Sequence, residues 1–473
     1  MNKSIWISDK LNLKLSRKNI ETDILIIGGG ISGASCMLNL IDSGYDITLI
    51  DSDRIGGVVT RNTTGKLNIM QGYNYSKIES VTNLSTALKY LEAQKFSLKL
   101  IKKYKIKCDL VKNDSYLFTN EQKNIKKIIH EKGILEAGGI KCTTVNKLPN
   151  NYPCLFGIKI SDSYVFNPIK YINGIVDICR DKANILELTR ALSICKKLDY
   201  FLIKTNRNKI KAKKVIICTH YPILSNKLEF PFKLKIDKEY VVSAKTSDSY
   251  RANMLCDDGS VTSIRYYGDY IIYGGNNSSL ASNCNHFDNM NNLITDFRRH
   301  FGNKISHTWY NYDLISNDYL PIIGRLDNNN VFVCTAFNKW GMTNGILSGK
   351  IISDIILDKK NEFIDLFDPN RSTNIKKIIN GCGCCFNSIK GYVSGFKKQK
   401  NIKYKTYNGK EYAIYVDEKK KEHVVINKCP HMGCKLIFNF LDKTWDCPCH
   451  GSRFNVDGKV IKGPSNYSIA PKK

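Results

Sequence analysis

The chain lacks long hydrophobic segments. In 473 residues, no apolar run approaches the length of a membrane-spanning helix. Residues 1–19 alternate polar and apolar side chains and have no apolar core of the kind that a signal peptide needs. No internal repeat or low-complexity domain stands out. The sequence therefore predicts neither a transmembrane segment nor a signal peptide.

Acidic residues are few relative to basic ones. The chain has 43 Asp and Glu against 72 Lys and Arg, which gives a formal net charge of +29. Such a surplus is typical of proteins that bind nucleic acids or membrane surfaces, but no aromatic-and-basic nucleic-acid module occurs. Lys, Asn and Ile are abundant throughout, so composition bias is the favoured interpretation, with an acidic partner protein as the alternative. We expect no nucleic-acid partner.

The remaining composition is that of a globular protein, with 42% hydrophobic and 24% charged residues. The length allows two or three domains. The 17 cysteines are scattered through a large chain instead of framing a small domain. This distribution suits a reducing compartment better than a disulfide scaffold, and we expect a cytoplasmic protein.

Two short boxes near the C-terminus combine cysteine with histidine. They read Cys-Pro-His-Met-Gly-Cys at residues 429–434 and Cys-Pro-Cys-His-Gly-Ser at residues 447–452. Tetrahedral zinc accepts such ligands, whereas a Rieske-type [2Fe–2S] cluster needs two Cys on one iron and two His on the other. The second cysteine in each box and a Gly-Pro-Ser loop at residues 463–465 favour the Rieske interpretation.

The two boxes resemble those of Rieske domains, and residues 403–416 and 422–427 resemble the short strands that carry such a cluster. The resemblance implies that a disulfide joins Cys434 to Cys449 and braces the two cluster loops. The iron ligands that it implies are Cys429, His431, Cys447 and His450.

A dinucleotide-binding fingerprint lies near the N-terminus. The apolar segment 23–28 predicts a buried strand of a parallel sheet, and Gly28, Gly30 and Gly33 complete the motif G-x-G-x-x-G before a helix. The glycines allow backbone N–H groups to approach a pyrophosphate, and Asp51 ends a second strand where an acid bonds a ribose hydroxyl. The residues expected to bind the dinucleotide here are Gly28, Gly30, Ser32, Gly33 and Asp51.

Two further segments indicate a flavin instead of a nicotinamide. A polar stretch at residues 60–66 can run under a flavin, and a helix beginning after Trp340 would point free amides at the flavin's pyrimidine edge, where reduction builds negative charge. No second G-x-G-x-x-G occurs to indicate a separate NAD(P)H domain. The residues expected to contact FAD in these segments are Thr63, Thr64, Gly341, Met342 and Thr343.

Residues 21–370 resemble the D-amino-acid-oxidase-like family of FAD-dependent oxidoreductases, and the whole chain resembles the branch with a C-terminal Rieske domain. Besides the fingerprint and Asp51, the matching motifs lie at residues 63–66, 309–318, 321–324 and 340–345. The resemblance implies an α/β, doubly wound FAD-binding domain. This domain would be interleaved with an antiparallel-sheet substrate domain and followed by a small all-β Rieske domain.

The expected domain organisation is an N-terminal arm (1–20), the oxidoreductase region (21–370), a linker (371–400) and the Rieske domain (401–473). The substrate domain would cover about residues 232–312. Within the linker, Gly-Cys-Gly-Cys-Cys at residues 381–385 has no suitably spaced fourth metal ligand, so we expect a flexible connector. Residues 186–195 are expected to be helical, and residues 263–273 to form a hairpin around Gly268 and Asp269.

The resemblance implies an enzyme that oxidises a small amine, amino acid or hydroxy acid. Electrons would pass from reduced FAD to the cluster and then to a one-electron acceptor protein or a quinone. On the expected substrate sheet, Tyr240 and Arg265 are candidate catalytic residues. Arg265 could clamp a carboxylate in bidentate fashion or lie on the surface. Two alternatives stay open: a reductase with the reverse electron flow, and a non-catalytic electron carrier or redox sensor.

Overall fold

The computed structural model of the protein describes residues 4–6, 11, 13, 15–223, 229–248, 250–259, 261–280, 286–302, 304–326, 330–372 and 374–471. The expected N-terminal arm (1–20) lies partly outside these residues. Among the described helices, none has the length and apolar character needed to cross a membrane.

The strands, in chain order, are β1 (Ile20–Ile27), β2 (Ile47–Ile50), β3 (Lys66–Leu67), β4 (Val111–Thr119), β5 (Thr143–Val145), β6 (Phe156–Val165), β7 (Asn184–Leu186), β8 (Ala191–Lys196), β9 (Phe201–Thr205), β10 (Lys209–Ile217), β11 (Leu234–Lys245), β12 (Ala252–Asp257), β13 (Val261–Tyr267), β14 (Tyr270–Ser279), β15 (Ile305–Ser316), β16 (Ile322–Arg325), β17 (Val331–Thr335), β18 (Lys403–Tyr407), β19 (Lys410–Val416), β20 (Glu422–Ile426), β21 (Ile437–Asn439), β22 (Thr444–Asp446), β23 (Arg453–Asn455) and β24 (Val460–Lys462). The helices are α1 (Ile31–Leu40), α2 (Asn74–Val81), α3 (Leu84–Lys103), α4 (Ile125–Ala137), α5 (Pro168–Cys179), α6 (Glu229–Lys233), α7 (His286–Phe301), α8 (Gly341–Ile356), α9 (Ile364–Phe367) and α10 (Ile375–Ser394).

The first sheet forms the core of the dinucleotide-binding domain. Its order is β16-β17-β10-β1-β2-β7, with β9 beside β10 and β8 beside β9. The strands from β17 to β7 pair in parallel. Alternate residues of β1 enter different core clusters, Ile24 and Ile26 on one face and Leu25 and Ile27 on the other. The apolar run at residues 23–28 is therefore the buried parallel strand that its sequence predicts.

Two glycines of α8 bring this helix against α1. A Cβ atom at Gly349 would lie 2.4 Å from the backbone carbon of Ser35, and one at Gly345 would lie 2.5 Å from the side chain of Ile31. Helices approach this closely only where one of them lacks side chains. The contact fixes the N-terminus of α8 beside the glycine loop that precedes α1.

The second sheet is the expected substrate sheet. Its order is β15-β11-β14-β13-β12-β4-β6-β3, with β5 beside β6, and its pairs are antiparallel except for β12 with β4. The hairpin around Gly268 is confirmed, since Tyr267 pairs with Tyr270. The sheet also contains β3 to β6, which precede the predicted substrate segment 232–312.

The C-terminal region forms a small all-β domain, as expected. It contains a three-stranded sheet, β18-β19-β20, and a four-stranded sheet, β21-β22-β23-β24, both antiparallel. Trp445, Phe454 and Phe438 fill its core. This core holds the loops that carry the two Cys/His boxes.

The connector between the domains is helical, so the prediction of a flexible segment at residues 381–385 is wrong. The Asn374 side chain accepts a hydrogen bond from the Lys377 N–H (2.8 Å) and caps α10. Glycine and cysteine are weak helix formers. Tertiary packing overrides this preference, because Gly391 and Gly395 lie against the backbones of Pro448 and Lys435.

The prediction of a helix at residues 186–195 is also wrong. Most of this segment is extended, and β8 pairs with β9 in an antiparallel hairpin, with Ile194 opposite Ile203. The pairing partner lies outside the segment itself, so local composition gives no sign of it.

Candidate redox site

The glycine loop between β1 and α1 forms one wall of a long cavity. Gly28 has φ +109°, and a Cβ atom there would lie 2.4 Å from the Cys218 carbonyl oxygen. A Cβ atom at Gly33 would lie 1.9 Å from the Gly28 carbonyl oxygen. Only glycine fits these positions. Gly28, Gly30 and Ser32 line the cavity, whereas Gly33 lies behind it and allows the tight turn.

Asp51 lies at the end of β2 and lines the same cavity. Its carboxylate accepts hydrogen bonds from the N–H groups of Gly29 (2.7 Å) and Asp53 (2.8 Å). Burial raises the pKa of Asp51 to about 6, although these two hydrogen bonds oppose the shift. The carboxylate therefore lies on the cavity wall beside the glycine loop, and its predicted bond to a ribose hydroxyl stays a prediction.

The N-terminus of α8 also lines the cavity, through Gly341 and Met342. No side chain caps this helix, so its first amides can bind a ligand. Thr343 is fully buried behind the wall, and its hydroxyl has no hydrogen-bond partner among the described residues.

A second cavity adjoins the first at Met342, which lines both. The expected flavin contacts Thr63 and Thr64 line this second cavity, together with charged residues from the substrate sheet. The charged residues of its wall are Lys66, Lys77, Lys235, Lys339, Asp237, Glu239 and Asp257. The cavity can therefore hold a small ligand that carries both charge signs.

Lys66 is the most deeply placed of these cations. It is 7% exposed, its Nζ donates to the Ser263 hydroxyl (2.6 Å), and burial lowers its pKa to about 7. Lys339 pairs with Asp237 at 3.5 Å. Sequence reasoning missed the acidic pair Asp237 and Glu239. Their signal was the alternation of charges along β11, which places every second residue on one face of the strand.

The catalytic prediction for Arg265 needs correction, since this residue is neither on the surface nor on the wall of either cavity. Its guanidinium donates to the backbone carbonyls of Thr64 and Phe166 and lies over the Trp6 ring. The Trp6 indole in turn donates to the Thr63 carbonyl at 2.7 Å. Arg265 therefore positions the loop that carries the expected flavin contacts.

The catalytic prediction for Tyr240 needs correction for a different reason. Successive residues of a strand point to opposite faces, and Glu239 takes the face that lines the cavity. Tyr240 is fully buried in the other face, where its hydroxyl lies 3.0 Å from His286 Nδ1 and its ring packs against Tyr310. It lines neither cavity.

The two Cys/His boxes form similar turns in the C-terminal domain. The Cys429 N–H donates to the Cys434 carbonyl, and the Cys447 N–H donates to the Ser452 carbonyl, both at 2.8 Å. These turns bring the ring centroids of His431 and His450 to 5.1 Å from each other. The Ser465 N–H donates to the Ser452 hydroxyl (2.9 Å), so the Gly-Pro-Ser loop covers the second box.

The four predicted ligands fit a two-iron cluster. Cys429 and Cys447 are each 1% exposed, and their side chains are in contact. Burial lowers the pKa of His431 to about 4 and that of His450 to about 3, so both imidazoles are neutral and able to ligate metal. Neither ring nitrogen of His450 has a hydrogen-bond partner among the described residues.

A disulfide joins Cys434 and Cys449, one cysteine from each box. The Cys447 sulfur lies close to both, with all three Sγ atoms within 4.8 Å of one another. Because the disulfide sulfurs are already bonded, Cys447 is the member of this group that could ligate iron.

The C-terminal domain packs directly on the dinucleotide cavity. Its residues Ile461, Lys462, Gly463 and Asn466 complete the cavity wall. Arg190, also on the wall, donates to the Ile461 carbonyl at 3.0 Å.

The same interface contains several polar contacts. The Tyr310 hydroxyl donates to Asp442 (2.6 Å), and that of Tyr312 donates to Asp446 (3.2 Å). Within the C-terminal domain, Arg453 forms ion pairs with both of these carboxylates, and its guanidinium lies 5.2 Å from the centre of the Tyr310 ring. The C-terminal domain is therefore held both at the dinucleotide cavity and on the substrate sheet.

Comparison with known proteins agrees with this architecture. Residues 23–355 match the family model described as FAD dependent oxidoreductase (DAO), and residues 390–471 match the Rieske [2Fe-2S] domain. The chain belongs to the DAO family of FAD-dependent oxidoreductases and carries a C-terminal Rieske domain. It is an oxidoreductase whose cofactors are FAD and a Rieske-type [2Fe–2S] cluster. The predicted family is confirmed, and the zinc alternative does not hold.

The alignment with one relative extends over both regions. The putative Rieske 2Fe-2S iron-sulfur protein YhfW of Bacillus subtilis is 27% identical over 95% of this chain and 93% of its own. Gamma-glutamylputrescine oxidoreductase of Escherichia coli is 22% identical over 72% of this chain and 84% of its own. Among solved structures, glycine oxidase from Geobacillus kaustophilus superposes with a TM-score of 0.64 at 14% identity, over 75% of this chain and all of its own.

Proposed function

We propose that the protein is a dehydrogenase that oxidises a small amine or amino acid. The electrons leave through the Rieske cluster to an external one-electron acceptor, either a protein or a quinone. The observation that carries this proposal is the position of the Rieske domain, whose residues Ile461 to Gly463 complete the wall of the dinucleotide cavity. When bound, FAD would supply a two-electron acceptor for a hydride that can also release electrons one at a time, and the cluster would supply a one-electron carrier.

The proposed cofactor ligands follow from the walls of the cavity and the two boxes. Gly28, Gly30, Ser32 and Asp51 would bind the adenosine diphosphate half of FAD, with Gly33 allowing the turn, and the uncapped amides of α8 would stabilise negative charge on the flavin. The remaining flavin contacts are Thr63, Thr64, Gly341 and Met342. Cys429, His431, Cys447 and His450 hold the cluster.

The second cavity is the proposed substrate site. Lys66 and Lys339 offer positive charge to a carboxylate, and Asp237 and Glu239 offer negative charge to an amine. An amine is also the substrate named for gamma-glutamylputrescine oxidoreductase, and an amino acid is named for glycine oxidase. A hydroxy acid would use only the lysines of the cavity and is the second candidate.

The arrangement of the two cavities also bears on the path of the electrons. The charged second cavity adjoins the dinucleotide cavity, and this favours catalysis over a purely electron-carrying role. The Rieske domain, which also lines the dinucleotide cavity, gives the electrons a route within the chain and favours a dehydrogenase over an oxidase that reduces oxygen. A reductase would use the same geometry in reverse.

Anaerobic screening of amines, amino acids and hydroxy acids tests the proposal. An amine or amino acid should bleach the flavin absorbance of the holoprotein, and an Asp237→Asn/Glu239→Gln variant should lose this response while keeping its FAD. Bleaching by hydroxy acids alone, unaffected by that variant, would favour the second candidate. Flavin that responds to no substrate but exchanges electrons with a reduced cluster would contradict the dehydrogenase.

A further inference from the structure

Helix α10 carries an apolar stripe on its solvent side. Seven large side chains, each at least 52% exposed, lie along one face of the helix. They are Ile375, Ile378, Ile379, Phe386, Ile389, Val393 and, just past the helix, Phe396. A helix on the surface of a globular protein normally turns polar residues toward water. An exposed stripe of this kind marks a contact surface.

The opposite face of α10 is occupied by the protein itself. A Cβ atom at Gly391 would lie 2.4 Å from the Pro448 carbonyl oxygen, and one at Gly395 would lie 2.8 Å from that of Lys435. Gly381 makes a similar approach to the Phe232 carbonyl at 3.0 Å. The helix therefore cannot rotate to bury its stripe without separating these backbones.

The charges around the stripe indicate what covers it. No Asp or Glu occurs between Asp368 and Glu411, and exposed lysines flank the stripe at Lys376, Lys390 and Lys397. The Lys390 ammonium lies 4.9 Å from the centre of the Phe386 ring, beside the apolar surface. A helix with one apolar face, lysines beside it and no acid is the kind that lies in the interface of an anionic bilayer.

We propose that α10 docks the protein on the surface of an anionic lipid bilayer. Ile375, Ile379, Phe386, Ile389 and Val393 enter the boundary between headgroups and acyl chains, and the flanking lysines contact the headgroups. The helix lies in the plane of the membrane and does not cross it.

Membrane docking would also orient the Rieske domain. The inner face of α10 contacts Pro448, which lies between Cys447 and Cys449 of the second box, and the adjoining Lys435 follows the first box. The loops of the proposed cluster therefore lie directly behind the membrane-facing helix. An acceptor in the bilayer would be close to these loops.

Vesicle flotation of the holoprotein tests the proposal. The probes are vesicles of phosphatidylcholine alone and of phosphatidylcholine mixed with phosphatidylglycerol. We expect flotation with the mixed vesicles, weakened at high salt, and about tenfold or greater loss of binding in Phe386→Ser/Ile389→Ser. The control is Leu198→Ser, which also replaces an exposed apolar side chain by serine, at a residue that is 99% exposed outside the helix.

Three results would overturn the proposal. The first is no flotation with either vesicle, and the second is flotation that Phe386→Ser/Ile389→Ser leaves unchanged. The third is a dimer, seen by sedimentation velocity, that this variant dissociates without any vesicle binding, which would assign the stripe to a second copy of the chain. FAD and iron contents equal to those of the parent confirm that the variant is folded, and none of these readouts depends on the substrate.

Discussion

The Tyr221 ring lies 5.4 Å, between centroids, from the ring of His450. It lies 5.9 Å from the ring of His431 and is 3% exposed. Tyr221 follows β10 in the oxidoreductase domain and also lines the dinucleotide cavity. A single side chain therefore contacts the histidines of the Rieske domain and the wall of the proposed flavin site.

Two replacements of Tyr221 should distinguish the role of its ring from that of its hydroxyl. The hydroxyl has no hydrogen-bond partner among the described residues, so Tyr221→Phe should change the free energy of unfolding by less than about 1 kcal/mol. Tyr221→Ala leaves a cavity and should cost about 3 kcal/mol. It should also slow electron transfer between flavin and cluster. Denaturant unfolding and stopped-flow absorbance measure the two effects, and an alanine variant with parental values would refute this role.

Arg265 should control flavin content without touching the substrate. Arg265→Met leaves the carbonyls of Thr64 and Phe166 without their buried donors, at about 2 kcal/mol. We expect the purified variant to contain less FAD and an unchanged amount of iron. Arg251→Met, at an exposed arginine, is the control. If Arg265→Met kept its FAD but lost affinity for carboxylate substrates, the original prediction of a carboxylate clamp would be restored.

The cysteines of the two boxes should fall into two classes. Cys429→Ala removes a proposed iron ligand and should abolish cluster assembly. Cys434→Ala removes only the disulfide to Cys449 and should give a cluster that assembles but is lost more readily on heating. Iron and sulfide analysis, with the EPR spectrum of the reduced protein, distinguishes the two. Equal loss of iron in both variants would mean that the ligand set is wrong.

Lys66 should make stability depend on pH. Burial lowers its pKa from the usual 10.5 to about 7 in the folded protein. Between these values the unfolded chain holds a proton that the folded protein has released, so the free energy of unfolding should rise with pH in this window. Lys66→Met should flatten that rise. Lys77→Met, at a side chain that is 45% exposed on the same cavity, should not.

Local sequence was sufficient to predict the structure of segments in which contiguous residues determine the backbone shape or the ligand spacing. The glycine loop with Asp51, the helix after Trp340 and the two Cys/His boxes each fix a backbone shape or a ligand spacing within a short segment. The same is true of the hairpin at Gly268, where the turn lies between two alternating strands.

The errors arose where distant residues decide the outcome. Arg265 has the sequence context of a strand arginine, but Trp6, Thr64 and Phe166 determine where its guanidinium lies. The glycines and cysteines of α10 disfavour a helix locally, and the surfaces of Pro448 and Lys435 stabilise it. No short-range pattern contains such partners.

Anaerobic rapid mixing of the holoprotein with a substrate found in the screen tests the central claim most directly. Flavin absorbance and the EPR signal of the reduced cluster should be followed in the same reaction. We expect the flavin to bleach first and the cluster signal to grow at its expense, and we expect His450→Ala to bleach without any cluster signal. Flavin that stays reduced beside an oxidised cluster, or a cluster that a physiological donor reduces before the flavin, would contradict the proposed electron path.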